Sequence, residues 1–167
     1  MNYNFRKLGM ILTSAALLVS ASALGQSRLL IEDATTHAIA ALGGNGNVWF
    51  AKGDTREEKG VQVWRFNAIQ NGVEFQVRIN AFTGSRIKVD RNGANVSKPP
   101  AITMNRAAQI GRGTKPGFVW KVEPALFNAV PEWSVKITGK DSKEYDVRIN
   151  MSTGVIRRTE VRGGGRR

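Results

Sequence analysis

Side chains that could perform catalysis are few and widely spaced in this chain of 167 residues. His37 is the single histidine, which excludes a metal site or proton relay built from two histidines. The absence of cysteine excludes disulfides, thiolate metal sites and a cysteine nucleophile. Glu57, Glu58 and Asp141 lie beside lysines in polar segments, where solvated surface charge is typical. The sequence therefore predicts a protein that is not an enzyme and has no cofactor and no metal site.

Aromatic and basic side chains favour a binding function instead. Trp64 and Trp133 are each followed by apolar residues at a spacing of two, which predicts that they face the core of a sheet. Trp49 and Trp120 lie in shorter apolar segments and are predicted to contact a partner. Six cations near two Thr-Gly turns are predicted to make an outer sheet face cationic, with ordinary solubilising charge as the alternative. They are Arg78, Arg86, Lys88, Arg148, Arg157 and Arg158.

Two stretches of the chain are nearly identical, which indicates a duplication. Residues 74–84 read EFQVRINAFTG, and residues 144–154, which begin 70 positions later, read EYDVRINMSTG. Val48-Trp49 aligns with Val119-Trp120, and Trp64 aligns with Trp133, so the four tryptophans are expected to form two equivalent pairs. A repeat that cannot bury its apolar face alone stacks on its copy.

We therefore predict an α+β fold of two tandem repeats, each a short helix packed on an antiparallel sheet of about four strands. The repeats span 29–90 and 101–161, and a linker rich in proline and glycine spans 91–100. The predicted helices are 29–42 and 105–110, the second ended by Gly111. The predicted strands of the first repeat are 48–51, 61–68, 73–81 and 85–90, with a hairpin turn at Asn71-Gly72.

Alternation along the third strand of each repeat separates a core face from a solvent face. Phe75, Val77 and Ile79 are predicted to point inward in the first repeat, as are Tyr145, Val147 and Ile149 in the second. Asp146 and Arg148 are predicted to point outward. Residues 52–60 and 123–131 differ in composition between the repeats and are predicted to be connecting loops.

The N-terminal residues have the pattern of a secretory signal peptide, predicted as residues 1–23. Arg6-Lys7 precede an apolar run from Leu8 to Val19 that is too short to span a bilayer, and Ala21-Ser22-Ala23 is a cleavage site. An alternative site would leave Gln26 as the first residue. Loss of the two N-terminal cations lowers the net charge from +12 to +10. We predict a periplasmic or secreted protein with a disordered basic tail at 162–167.

The strand motif resembles that of the PepSY domain, named for peptidase propeptides and a spore-cortex protein. The shared pattern is Y-x-V-x-I-(D/N)-x-x-T-G-x-(V/I), matched by residues 144–156 and nearly as well by 74–87. The family usually has aspartate where this chain has Asn80 and Asn150. The resemblance implies a helix on an antiparallel sheet, an extracytoplasmic location and non-catalytic binding, often to a peptidase. The tandem arrangement is also similar to that of secreted beta-lactamase inhibitor proteins.

Two functions remain open at this point. The first is an exported, non-enzymatic module that binds an extracytoplasmic peptidase or another envelope protein and inhibits it or assists its folding. The alternative is a binder of polyanions, such as envelope lipid, polysaccharide or extracellular nucleic acid, driven by the basic charge.

Overall fold

The computed structural model describes residues 27–44, 46–95 and 97–162. The predicted signal peptide at 1–23 lies outside the described residues, as does the predicted tail beyond Arg162. Among the residues that are described, no helix is long and apolar enough to cross a membrane.

The fold is α+β, with two helices on one face of a single eight-stranded antiparallel sheet, in the strand order β4-β3-β2-β1-β5-β6-β7-β8. The elements of the first half are α1 Ile31–Ala41, β1 Val48–Glu58, β2 Val61–Gln70, β3 Val73–Asn80 and β4 Arg86–Ala94. Those of the second half are α2 Met104–Thr114, β5 Gly117–Phe127, β6 Val130–Gly139, β7 Glu144–Asn150 and β8 Ile156–Arg162.

The two halves of the sheet join where β1 meets β5. The ladder there has only two residue pairs, Gly53 with Val122 and Asp54 with Lys121. A Cβ atom on Gly53 would lie 2.8 Å from the ring of Phe66 and 3.2 Å from the sulfur of Met104. Glycine is therefore required at this position, because any side chain would push the core away from the seam.

The core lies between the helices and one face of the sheet, as the alternation of the third strands predicts. Val77, Ile79, Val147 and Ile149 are fully buried, Tyr145 is buried, and Phe75 packs against the same cluster. The helix residues in this core are Ile31, Ala34, Ala38, Met104, Ala107 and Ala108.

Trp64 and Trp133 are both buried in this core, which confirms their predicted orientation. Trp64 Nε1 donates a hydrogen bond to the carbonyl of Leu29 at 3.0 Å, and Trp133 Nε1 donates one to the carbonyl of Ile102 at 2.7 Å. Each indole therefore fixes the segment just before a helix, and its one polar atom is satisfied.

The first strand of each half is longer than predicted. Residues 52–60 and 123–131 are not loops, since β1 continues to Glu58 and β5 to Phe127, and each turns directly into the next strand. The turn residues Lys59 and Asn128 have φ angles of 51° and 49°. Lys52 and Asp54, inside the first predicted loop, instead pair with charges on neighbouring strands.

The second helix also differs from its predicted extent. It continues through Gly111 and Gly113 to Thr114, although Gly111 was expected to end it. A Cβ atom on Gly111 would lie 2.8 Å from a methyl group of Val135, so this glycine allows the helix to approach the sheet. The predicted Asn71-Gly72 turn is confirmed, with φ angles of 51° and 76°. The predicted linker begins later than expected, because β4 extends to Ala94.

Candidate functional site

The sheet face opposite the helices carries a network of ion pairs. It forms because charged residues alternate with core residues along β1, β3, β5, β6 and β7. On the first-half side of the seam, Asp54 accepts two hydrogen bonds from Arg65, at 2.8 and 3.0 Å. This bidentate geometry is the strongest form of an arginine–carboxylate pair.

Three lysines surround one carboxylate at the seam. The Nζ atoms of Lys121 and Lys136 each lie 2.8 Å from Glu123 Oε1, and that of Lys52 lies 3.5 Å from Oε2. Partial burial by itself raises the pKa of Glu123, but the hydrogen bonds and charges of Lys121 and Lys136 outweigh it and lower the pKa from 4.5 to about 2. This cluster was not predicted, because Glu123 lies in the segment 123–131, which the sequence pattern indicated to be a loop.

The cations predicted to contact a partner lie on this face or at its edges, and most are paired with carboxylates. Arg78 lies 3.6 Å from both Glu58 and Asp90, and Lys88 lies 2.7 Å from Asp90. Arg86 is exposed at the start of β4. An anionic partner of Arg78 or Lys88 would therefore compete with carboxylates of the protein itself.

The same holds for the cations of the second half. Arg148 lies 3.0 Å from Asp146, and Arg157 lies 3.6 Å from Glu132. Arg158 lies 3.2 Å from Glu160 and also stacks on a ring, as described below.

Asp146 is on the predicted face, but it is not solvated. Only 3% of it is exposed, and the hydroxyl of Ser134 donates a hydrogen bond to its Oδ1 at 2.8 Å. Glu132, on the same face, is fully buried. Alternation identified the face correctly, but Ser134 on the neighbouring strand and Arg148 on the same strand lie against Asp146 and cover it.

Trp49, predicted to contact a partner, lies in a surface groove at one end of the sheet. It is half-buried, and its ladder partner across β1 and β2 is the buried Ile69. Two concavities adjoin it, of about 160 and 590 Å³. The larger is lined by apolar groups and amides together, among them Val48, Ile69, Pro99, Asn47, Asn71 and Asn95. The smaller lies between α1, the segment before α2 and the core.

Trp120 lies at a β-bulge in β5 rather than at the place that corresponds to Trp49. Trp49 pairs with Ile69 in the first half. The residues 69 positions later in the chain, Phe118 and Thr138, pair with each other at the equivalent place in the second half. The predicted equivalence of Trp49 and Trp120 is therefore wrong, because the two halves align in the ladder at an offset of 69 residues rather than 71, and Trp120 then corresponds to Ala51, each being the bulged residue of its strand.

The surroundings of Trp120 are more polar than those of Trp49. Lys136 Nζ lies 5.8 Å from the centre of its ring, within cation–π range. Together with Phe118 and Arg28 it lines a concavity of about 320 Å³. The structure thus does not bring the two predicted contact tryptophans into one site.

The repeated asparagines have a structural role. The Oδ1 atom of Asn150 accepts hydrogen bonds from the backbone N–H groups of Ser152 and Thr153, both at 2.9 Å. Asn80 makes the same contacts with the turn after β3, at 2.9 and 3.0 Å. An aspartate oxygen would serve equally as acceptor, so the departure from the family pattern keeps this turn geometry.

The side chains considered for catalysis remain dispersed. His37 is exposed on α1 and lies against Gly84, where a Cβ atom would be 2.5 Å from its ring. Within the described ranges, no group of three or more His, Cys, Asp or Glu side chains is placed to hold a metal ion.

In comparison with known proteins, the second half of the chain matches a family model. Residues 101–160 match the family model described as "Peptidase propeptide and YPEB domain", named PepSY. No curated protein matches the chain. Three solved structures are similar at low identity. A putative lipoprotein from Clostridium difficile 630 is 14% identical, with 83% of this chain and 97% of that chain covered and a TM-score of 0.46.

The other two are the YpmB protein from Bacillus subtilis and the Bacillus megaterium YpeB C-terminal domain. The first is 17% identical, with coverages of 76% and 96% and a TM-score of 0.37. The second is 14% identical, with coverages of 82% and 67% and a TM-score of 0.33. The segment from just before α2 into β8 is thus the part of this chain that matches the PepSY family.

Proposed function

We propose that this chain is an exported, non-enzymatic protein of two tandem PepSY-like repeats that binds an extracytoplasmic peptidase or another envelope protein. Binding would inhibit that protein or assist its folding. The signal-peptide pattern supports export, and the family match at 101–160 supports a regulatory binding role.

The tandem arrangement is supported by contacts that recur in both halves. Trp64 pairs with Ile79 and Trp133 pairs with Ile149, and each tryptophan donates a hydrogen bond to the residue that precedes the N-cap of a helix. The match to the family model covers only the second half, so the assignment of the first half rests on these contacts and on the repeated motif.

The groove at Trp49 is the observation that carries the proposal. A half-buried indole, a proline and the buried Ile69 form an apolar floor, and asparagine amides stand at its rim. Such a surface suits an apolar side chain of a protein segment, while the amides bond to that segment's backbone. Tryptophan is also the residue most enriched at binding hot spots.

The test compares two single variants of the mature protein. Trp49→Ala removes the floor of the groove, and Val61→Ala trims an apolar side chain that is 40% exposed at the far end of the β1–β2 hairpin. Captured envelope proteins are measured by mass spectrometry at moderate salt. Loss of a captured protein with Trp49→Ala, with retention in Val61→Ala, is expected. Equal capture by both variants contradicts the groove.

A polyanion binder remains the second candidate, because three lysines share Glu123 at the seam. This cluster leaves positive charge in excess at the centre of the polar face. Binding to phosphate-rich polymers would fall steeply with salt, whereas a mostly apolar protein interface would not. A salt titration of heparin binding, with Lys121→Gln as the test variant and Lys59→Gln as an exposed control, separates the two functions.

A further inference from the structure

The two edges of the sheet differ in how well they are closed. Edge strands present unpaired N–H and C=O groups and are normally protected. The ladder of β4 against β3 is interrupted twice, and Gly93 in β4 has a φ angle of 127°. The side chain of Asn92 also turns back to Glu74. β8 pairs with β7 with one interruption, at Arg157, and in unbroken register from Arg158 to Arg162.

β8 also exposes apolar side chains and meets like charges across its ladder with β7. Val161 is 62% exposed and Ile156 is 41% exposed. In the ladder with β7, Glu160 is directly opposite Asp146, and Arg158 is directly opposite Arg148. Like charges in directly opposite positions are unfavourable, so β8 carries two charges whose opposite neighbours have the wrong sign.

We infer that β8 is a self-association edge, where β8 of a second copy adds in antiparallel orientation and continues the sheet. A twofold axis makes the pairing self-complementary. Because side chains alternate between the two faces, only registers in which one residue of β8 lies opposite the same residue of the second copy are allowed. Near the middle of the strand, that residue is Arg158, Thr159 or Glu160.

Charge selects one of these registers. Centring on Thr159 places Arg158 opposite Glu160 of the second copy, and Glu160 opposite Arg158 of the second copy. A register centred on Arg158 or on Glu160 places that residue opposite the same residue of the second copy, so that like charges face each other. Only the Thr159 register therefore gives both Arg158 and Glu160 a directly opposite partner of unlike sign.

The charged side chains of β8 are already positioned for this register. The guanidinium of Arg158 already lies 4.1 Å from the ring centre of Phe127 and 3.2 Å from Glu160, so little ordering is needed on association. A single added strand is a small interface, so the dimer is expected to be of micromolar affinity.

Sedimentation equilibrium of the mature protein tests this inference with a charge swap. Glu160→Arg should weaken dimerisation about tenfold, since two attractive pairs become repulsive. The double variant Arg158→Glu with Glu160→Arg should return the dimer Kd to within about threefold of the parent, because unlike charges again face each other. Leu126→Arg, at a site 75% exposed on β5, is the control that should leave the Kd unchanged.

Folding and dimerisation are separable in this design. Arginine at position 160 would lie opposite Asp146 within the monomer, so Glu160→Arg should not lower the melting temperature. Thr159→Cys adds a thiol to a chain that has none, and it should give a covalent dimer on mild oxidation. Thr153→Cys, in an exposed turn, should not.

Three results would overturn the inference. The first is a protein that stays monomeric at all concentrations. The second is a dimer that is insensitive to Glu160→Arg. The third is a monomeric protein in which Glu160→Arg abolishes binding of a different protein. In that case β8 would be the edge that binds a strand of that other protein.

Discussion

Replacement of Glu123 by glutamine tests whether the seam between the two halves of the sheet depends on charge. Glutamine keeps the shape of the side chain but removes the charge shared by Lys52, Lys121 and Lys136. The pKa of Glu123 falls from 4.5 to about 2 on folding, which sets an upper limit of roughly 3 kcal/mol on its contribution at neutral pH. Because solvent reaches the cluster, we expect about 1–2 kcal/mol.

The direction of the pKa shift determines how the stability difference between the parent and Glu123→Gln depends on pH. A carboxylate whose folded pKa is depressed stabilises the protein above the unfolded pKa and loses that contribution as pH falls through the folded value. The parent protein should therefore exceed Glu123→Gln in stability above about pH 5, and the difference should shrink from pH 4.5 towards about 2. Urea denaturation curves over this range measure it, with the exposed Glu144→Gln as control.

Two outcomes would refute this reasoning. A loss of stability that is equal at low and neutral pH would mean that packing, not charge, is responsible. No loss at neutral pH would mean that the lysines around Glu123 are as well solvated without it, and that the two ladder pairs of β1 and β5 suffice to hold the seam.

The remaining predictions concern packing and turns. Gly111→Ala should lower stability by about 1–3 kcal/mol, because the added methyl group meets Val135 at 2.8 Å, whereas Gly113→Ala, with open space, should raise it by up to about 1 kcal/mol in thermal melts. Val147→Asp should unfold the domain as judged by circular dichroism, since an unpaired carboxylate at a fully buried site costs several kcal/mol; native spectra would show the register to be wrong. Asn150→Ala should cost about 1 kcal/mol in urea denaturation by leaving two turn N–H groups without their acceptor, and a stability equal to that of the parent would contradict the capping role.

The helices, the hairpin turns and the core face of the sheet could be predicted because their signals are local. Asn71-Gly72 specifies a tight turn, and alternation at Val77 and Val147 specifies which side is buried. These features depend on neighbours within a few residues, so one sequence was enough to recognise them.

The errors have a shared cause. The charged residues 52–58 looked like a loop, yet they form a strand because Asp54 and Lys52 meet partners on β2 and β5. Gly111 looked like a helix end, yet it is the point of closest approach to Val135. In both places a contact distant in sequence outweighed the local preference.

The pairing of the tryptophans failed for a related reason. Trp49 and Trp120 match in sequence with their preceding valines at an offset of 71, but the ladders of the two halves align at an offset of 69, with a bulge at Ala51 in one and at Trp120 in the other. Structural equivalence is set by how the strands pair, and a match of two residues in sequence does not determine it.

The sequence by itself determined the α+β class, the buried face of each third strand, the repeated motif and the scarcity of catalytic side chains, because these follow from residue type and short-range periodicity. Only the tertiary structure decided that one sheet joins both halves, that Glu123 gathers three lysines, and that Trp49 and Trp120 lie in separate concavities. The physical reason is that strand order and register bring together groups up to about 80 residues apart, and their energies depend on distances that no local pattern encodes.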